Sequence, residues 1–351
     1  MKFRNETRRR IRLWLFIIGA GILIGPPINY ITVSPTMGSL LRGVMDGAII
    51  AGLVGGYTQF VRDQLFRRYF RSLNFTVSLL VNTFIYFLLF HIGRLFSVMS
   101  RSPGEVTGGP VDFLLDTQVL TVIPVFFACA VLIEFILQMN RLIGHNVLWY
   151  FIAGTYHRPK EEERIFLFLD LRDSTKMAEQ MGGKSYYEML DLFVHALTEP
   201  VLETRGEIHE YVGDEVVITW KFDAGLRNGN CLRCFFLIED TIAEMADEFE
   251  RRFARQPHFR AGLHGGTVIA GELGDIKRDI VFVGDIMNTA ARIEEYAKKE
   301  GRSFVVSDAI IENIDMPPDL VADYAGDHLP RGKETSVKLY EVRRDDRDAA
   351  S

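Results

Sequence analysis

Before about residue 140 the chain carries four apolar stretches, near 12–31, 39–58, 75–96 and 118–139. Each approaches the roughly 20 residues an α-helix needs to cross a bilayer. A segment in hydrocarbon must satisfy its own backbone N–H and C=O groups, so this part of the chain is confined to helices. The second stretch holds Gly43, Gly47, Gly52, Gly55 and Gly56, a composition that lets helices in lipid approach closely. The mean hydropathy of +0.08 is high for a chain whose other half is ordinarily charged.

Positive charge fixes the expected orientation. Lys2, Arg4, Arg8, Arg9, Arg10 and Arg12 precede the first stretch, and Arg62, Arg67, Arg68 and Arg71 fill the connection between the second and third. The chain therefore reads as an integral protein of a cell's inner or plasma membrane, with its N-terminus and its second half cytoplasmic and its arginines against anionic lipid headgroups. A cleaved signal peptide is the rival reading of residues 1–31, but Gly25-Pro26-Pro27 offers no small-residue cleavage pattern. Asp46, Asn82, His91 and Glu134 stand within the spans, and ionisable residues there are candidates for function or for a buried polar contact.

After residue 160 the apolar periodicity changes. It predicts strands at 164–171, 206–212, 215–221, 259–264, 267–273, 278–283 and 303–307, helices near 174–203, at 229–254 and at 286–299, and a late hairpin ending at 336–343. Asp170, in Phe168-Leu-Asp-Leu-Arg-Asp-Ser-Thr175, and Asp214, in Tyr211-Val-Gly-Asp-Glu215, each follow an apolar run that would deliver a carboxylate to a sheet rim. Two carboxylates converging there suit Mg²⁺ or Mn²⁺, hard ions that take one or two protein carboxylates and complete their shell from phosphate oxygens. In Asn288-Thr-Ala-Ala-Arg292 an amide and a guanidinium lie four residues apart on one helix face. The set reads as two-metal phosphoryl-transfer chemistry.

In these motifs the segment from 161 to about 343 resembles the catalytic domain of the class III nucleotidyl cyclases, the adenylate and guanylate cyclases. The resemblance implies an α+β, ferredoxin-like domain over 164–343, behind a membrane domain over 1–140 and a linker over 141–163, with a polar tail at 344–351. It implies that Asp170 and Asp214 bind two divalent ions, that Asn288 orients the ribose, and that Arg292 stabilises the transition state. Arg260, in Phe259-Arg-Ala-Gly-Leu-His264, matches the family's phosphate-binding arginine; Arg331 or Lys333 matches its late basic contact. Ser174 and Thr175 open a helix whose free N–H groups suit a polyphosphate. The implied reaction converts a nucleoside triphosphate to a 3′,5′-cyclic nucleotide and pyrophosphate, in a homodimer whose sites are shared between chains.

Two positions read the purine in that family. The one four before the second metal aspartate is Glu210, and the one seven before the asparagine is Val281. Valine offers no hydrogen bond to either base, so the pair matches neither the adenine nor the guanine pattern. ATP is favoured because prokaryotic members with atypical purine residues mostly resemble adenylate cyclases; GTP as substrate, and a catalytically silent membrane receptor or scaffold, are the alternatives. Diguanylate cyclases carry their acidic motif on a similar hairpin, but Val212-Gly-Asp-Glu-Val216 lacks that motif's first glycine and its phenylalanine.

The linker combines Val147-Leu-Trp-Tyr-Phe151, with helical spacing, and a proline-marked entry at Tyr156-His-Arg-Pro159, which makes it either a transducer or a passive tether. Asp285 is expected to cap a helix, His264 to pack, and Cys129, Cys231 and Cys234 to be reduced thiols. A net charge of −6 with no basic face beyond the membrane-proximal arginines excludes a nucleic-acid partner.

Overall fold

The computed structural model describes residues 2–32, 35–62, 73–99, 124, 127–136, 138–139, 144, 147–329 and 336–345. Two compact units divide the chain, Met1–Leu142 and Ile143–Ser351.

In the first unit, stretches long and apolar enough to cross a membrane cover Arg10–Ile31, Met37–Arg62 and Phe75–Phe96. They lie in α1 (Lys2–Thr32), α2 (Met37–Gly56, continued as a π-helix over Tyr57–Arg62) and α3 (Phe75–Met99). Of the fourth expected stretch, 118–123, 125–126 and 137 lie outside the described residues, and within the rest a shorter apolar helix runs Phe127–Ile136. α2 starts with a reciprocal capping box between Thr36 and Ser39. A Cβ on Gly21 or Gly25 would collide with the backbone of Gly47 or Gly43, so α1 and α2 meet backbone to backbone. Gly43 and Gly47 are thus half of a paired contact, with Gly21 and Gly25 as the other half.

Polar residues of this unit converge on Glu134, which is 1% exposed. Its carboxylate accepts from Arg62 Nη1 at 3.2 Å, Tyr86 Oη at 3.0 Å, and Asn82 Nδ2 and Gln138 Nε2 at 3.1 Å each. Tyr57 in turn donates to Asn82 Oδ1 at 3.0 Å. Arg62 is therefore not part of an exposed cationic connection, as its place in the sequence suggested; it is 5% exposed and ion-paired, while Arg67, Arg68 and Arg71 lie outside the described residues. Asp46 also has a partner, accepting from Asn29 Nδ2 at 2.8 Å.

The second unit is a single mixed sheet with helices. Its strands are β1 (Lys160–Leu171), β2 (Glu207–Val212), β3 (Glu215–Lys221), β4 (Phe259–Leu273), β5 (Asp279–Val283), β6 (Phe304–Ser307), β7 (Leu320–His328) and β8 (Val337–Arg344). The order is β2-β3-β1-β4-β6-β8-β7, with β5 hairpinned onto β4. The unit's longer helices are α4 (Val147–Ile152), α5 (Ser174–Met181), α6 (Gly183–Glu203), α7 (Asn230–Glu244), α8 (Ala246–Phe253) and α9 (Asp285–Glu300), with short helical turns at Phe222–Leu226 and Asp308–Ile311. The first four strands pair antiparallel with one another, β4 pairs in parallel with β6, and helical crossovers lie between β1 and β2 and between β3 and β4.

Alternation along β1 assigns its two faces. Ile165, Leu167, Leu169 and Leu171 enter the main core with Phe193, Leu197, Phe235 and Ile238 of α6 and α7. Phe166 and Phe168 face a second cluster with Val217, Val268, Ile280 and Phe282, against which Val147, Tyr150 and Phe151 of the linker helix α4 pack. Arg164, 1% exposed, sits at the edge of that cluster. Its guanidinium donates to Glu162 at 2.7 Å, Tyr156 Oη at 2.8 Å and Glu207 at 3.4 Å, and it lies 4.8 Å from the centre of the Phe282 ring. Tyr150 donates to Glu207 at 2.8 Å, tying α4 to β2.

Several elements differ from their sequence expectation. Residues 259–273 form one continuous strand where Gly265-Gly266 suggested two; the glycines leave room for Ile310, Phe222 and Ile286 to press on the strand instead of turning it. The expected helix 229–254 is broken at Met245, whose N–H bonds back to Thr241 and Ile242 before α8 begins. Asp285 is the first helical residue of α9, behind Gly284 at the cap position, so it supplies charge to the first turn and no side-chain cap. β1 begins at Lys160, four residues before the expected start.

Removing one member of the buried ion pair leaves the other uncompensated, which costs about 3–5 kcal/mol. Glu134→Leu should therefore lower the thermal midpoint of the detergent-solubilised protein markedly. The double variant Arg62→Leu with Glu134→Leu should recover most of that loss.

Candidate active site

The β1–β4 ladder sets the site. Its antiparallel register puts Asp170 directly across from Arg260, and Arg260 Nε lies 3.3 Å from Asp170 Oδ2 and 3.2 Å from Glu294 Oε1. Glu294 comes from α9, whose backbone rests on Gly262; a Cβ there would collide with the main chain of Ala290 and Glu294. Gly262 and Arg260 share a face of β4, so that close approach delivers the Glu294 carboxylate to the guanidinium. One turn on, Lys298 Nζ lies 3.8 Å from Asp170 Oδ2.

Asp214 stands in the β2–β3 turn after Gly213, which adopts φ +66°, a conformation natural to glycine. Burial and the adjacent Asp214 charge push the Asp170 carboxyl up, while Lys298 and Arg260 hold it down. Burial, then Asp170 and Asp214, raise Glu215 to about 7; burial, then Asp170, raises Glu294 to about 7. This is a surplus of carboxylate, and Asp214 Oδ2 is buried with no hydrogen-bond partner. An orphaned buried oxygen beside a second carboxylate is the donor chemistry of a hard divalent cation. Among the described residues no group of three or more His, Cys, Asp or Glu is arranged to hold a metal, so a cation here would draw its remaining ligands from substrate and water.

Ser174 and Thr175 begin α5, behind Asp173 at φ +58° and with no side-chain cap, so the first N–H groups of the helix remain available. The Tyr186 hydroxyl meets Ser174 here, and burial followed by the Asp214 charge raises its pKa.

Asn288 and Arg292 follow a different stripe of α9. Asn288 is exposed and Arg292 half-buried, on a stripe displaced by roughly 120° from that of Glu294 and Lys298. Arg292 lies toward β7, where, after burial, its charge is the next cause lowering the pKa of His328. Among the described residues no hydrogen bond or ion pair joins Asn288 or Arg292 to Asp170 or Asp214. The two positions expected to read the purine lie elsewhere on the same unit. Glu210 is on β2, exposed, just after a bulge at His209, and Val281 is on β5 across from Gly271. Arg331 and Lys333 lie outside the described residues. An open cleft of about 530 Å³ lined by Arg172, Asp173, Arg255 and His258 contains none of these residues.

A family model for the adenylate and guanylate cyclase catalytic domain matches residues 157–335. The chain belongs to this family. Adenylate cyclase 2 of Rhizobium meliloti (strain 1021) is 32% identical to it over 278 residues, 78% of this chain and 76% of that protein. An adenylate cyclase of Anabaena cylindrica is 27% identical over 184 residues, 50% of this chain and 36% of that protein. A solved bacterial light-regulated adenylyl cyclase superposes with a TM-score of 0.54 at 16% identity and covers 66% of each chain, a likeness of fold.

The candidate site includes residues that the sequence pattern alone did not point to. Glu294, Lys298, Glu215 and Tyr186 all border the Asp170 carboxylate or its neighbours. Glu294 was within reach of sequence logic, since it sits two residues after Arg292 on a helix already singled out; its partner on β4 required the register. His264 is a packed histidine, 6% exposed with Nδ1 2.7 Å from Ser307 Oγ. Cys231 and Cys234 are free, fully buried thiols, pushed up to about 12 by that burial.

A carboxyl whose pKa is raised on folding stabilises the fold below its unfolded value, and that stability is lost as pH rises through the folded value. For Glu294 the window runs from about 4.5 to about 7. The thermal midpoint of the metal-free cyclase should fall across that window, and Glu294→Gln should flatten the fall. A variant that tracks wild type across the whole window would contradict the assignment.

Proposed function

We propose that this chain is a membrane-anchored adenylate cyclase that converts ATP to 3′,5′-cyclic AMP and pyrophosphate in a homodimer with two shared sites. The carrying observation is the Asp170–Arg260 ladder pairing with Asp214 beside it, while Asn288 and Arg292 face away on α9. A single chain thus holds two complementary halves of a site, one with carboxylates and one with the ribose and transition-state groups. ATP is supported by the names of the Rhizobium and Anabaena relatives. A ferredoxin-like core is supported by the order β2-β3-β1-β4 with its two helical crossovers.

In this reading the 3′-oxygen of the ribose attacks the α-phosphorus, the bond to the pyrophosphate oxygen breaks, and the hydroxyl proton passes to solvent. Two divalent ions, Mg²⁺ or Mn²⁺, held by Asp170 and Asp214, would acidify the 3′-hydroxyl and neutralise phosphate charge when bound. Asn288 orients the ribose, and Arg292 meets the charge that develops on the phosphoryl oxygens. Arg260, with Arg331 or Lys333, holds the terminal phosphates, and the first N–H groups of α5 at Ser174 and Thr175 cradle the same chain of phosphates. Arg260 lies between the Asp170 and Glu294 carboxylates. Phosphate binding therefore exchanges the Asp170 contact for a substrate contact, leaving Glu294 as the constant partner.

The three long apolar helices support anchoring in a cell membrane, with the cyclase unit on the cytoplasmic side where the nucleotide is. The linker over 141–163 is proposed to couple the two; within it Tyr150 and Tyr156 reach the Arg164 cluster. The second reading, GTP as substrate, rests on Glu210, an acceptor for guanine N1 and N2.

Purified full-length protein with Mg²⁺ or Mn²⁺ should make cyclic AMP from ATP, and Asp214→Ala should abolish it. Arg292→Ala should lower kcat by about 10²–10³, the usual effect of removing a transition-state donor. Dominant cyclic GMP would transfer the assignment to GTP. No product from either nucleotide in a folded dimer would make the chain a silent receptor or scaffold.

A further inference from the structure

The two expected purine-reading positions provide an incomplete set of contacts. Glu210 only accepts hydrogen bonds when ionised, and Val281 neither accepts nor donates. Both purines present an acceptor next to a donor on the base edge, so a pocket made of these two residues leaves the base acceptor unpaired. Such an orphan costs affinity and weakens discrimination.

The fold brings one unused donor to that place. β2 carries a bulge between Ile208 and Glu210: Ile208 pairs with Ile218, and the next pair is Glu210 with Val217. The extra residue is His209. Without the bulge, period-two alternation from Ile208 through His209 would turn Glu210 toward the main core; with it, Glu210 pairs with Val217 and shares the face of Val217, Phe166 and Phe282. The His209 ring centre lies 5.0 Å from that of Phe282 and 6.5 Å from that of Phe166. His209 is thus covalently next to Glu210 and on the same face, whereas Val281 alternates with Phe282 and lies on the other face of β5.

The remaining polar donors of this patch are spent. Arg164 donates to Glu162, Tyr156 and Glu207, Tyr156 to Glu162, Tyr150 to Glu207, and Thr219 to the Ile165 carbonyl. Among the described residues neither ring nitrogen of His209 has a hydrogen-bond partner. Burial lowers its pKa below the ordinary histidine value, so at neutral pH the ring carries one donor and one acceptor.

We propose that His209 is a specificity-determining residue of this cyclase, donating from its ring N–H to N1 of adenine while Glu210 accepts from the adenine amino group. Guanine reverses the two, with its acceptor at position 6 and its donor at N1, so the same pair reads it out of register. The proposal rests on the ATP reading above and adds the residue that enforces it.

The test compares wild type, His209→Phe and His209→Gln on ATP, GTP and 1-deaza-ATP, which lacks the N1 acceptor. Phenylalanine keeps the aromatic packing on Phe282 and Phe166, and glutamine restores a donor. The expected results are a fall of about tenfold in kcat/KM for ATP in His209→Phe, mostly through KM, and partial recovery in His209→Gln. Wild type should lose a similar factor on 1-deaza-ATP, whereas His209→Phe should treat the two nucleotides alike. If both His209 variants keep the wild-type ATP to GTP ratio, or if wild type uses 1-deaza-ATP as well as ATP, the proposal is overturned with the ATP reading intact. If His209→Phe fails to fold, the 1-deaza-ATP comparison in wild type and His209→Gln decides it. Wild type that prefers GTP overturns both.

Discussion

The antiparallel pairing of β1 with β4 is the constraint on which the site depends. Its register sets Asp170 against Arg260, and the absence of a side chain at Gly262 allows α9 to settle directly on β4. From that seat Glu294 and Lys298 reach the Arg260 and Asp170 pair. A one-residue slip in the ladder would turn every inward group of β1 to the other face and separate the aspartate from both basic residues. The same seat fixes the rotation of α9, so holding Glu294 inward obliges Asn288 and Arg292 to face away from the chain's own carboxylates. In the proposed dimer, helix phase is what divides the site between copies.

The second face of the sheet has a different organisation. Arg164 is almost wholly buried, and the low-dielectric surroundings make each of its contacts with Glu162, Glu207 and Tyr156 consequential. Buried ion pairs of this type contribute little net stability relative to apolar packing, but losing one partner is costly. Their value here is geometric. They hold the linker residues Tyr150 and Tyr156, the start of β1, and β2 in one arrangement, against the Phe282 ring next to Val281. Glu134 and Arg62 follow the same logic in the first unit, where an apolar surround forces the polar groups of three helical segments onto one another.

Local sequence pattern carried much of this. The apolar runs before Asp170 and around Asp214 end where the strands end, and β3 spans the expected 215–221. Spacing on one helix made Asn288 and Arg292 recognisable as a pair. What local pattern could not carry was anything set by packing between distant segments. Gly265-Gly266 reads as a turn until Ile310, Phe222 and Ile286 are seen to need the space. Arg62 reads as a loop cation until Glu134, 72 residues away, is brought to it. Glu294 reads as one more surface acid on a charged helix until the register supplies Arg260. The bulge at His209 is invisible in a sequence that alternates correctly on both sides of it, yet it decides which way Glu210 faces.

The claim that most needs testing is that each chain holds two halves of different sites. Asp170→Ala and Arg292→Ala each remove one half, so homodimers of either variant should be inactive. Co-expressing the two with different affinity tags and isolating heterodimers should restore one intact site per dimer, with cyclic nucleotide production near half the wild-type value. Heterodimers verified by both tags that remain as inactive as the parents would contradict the account.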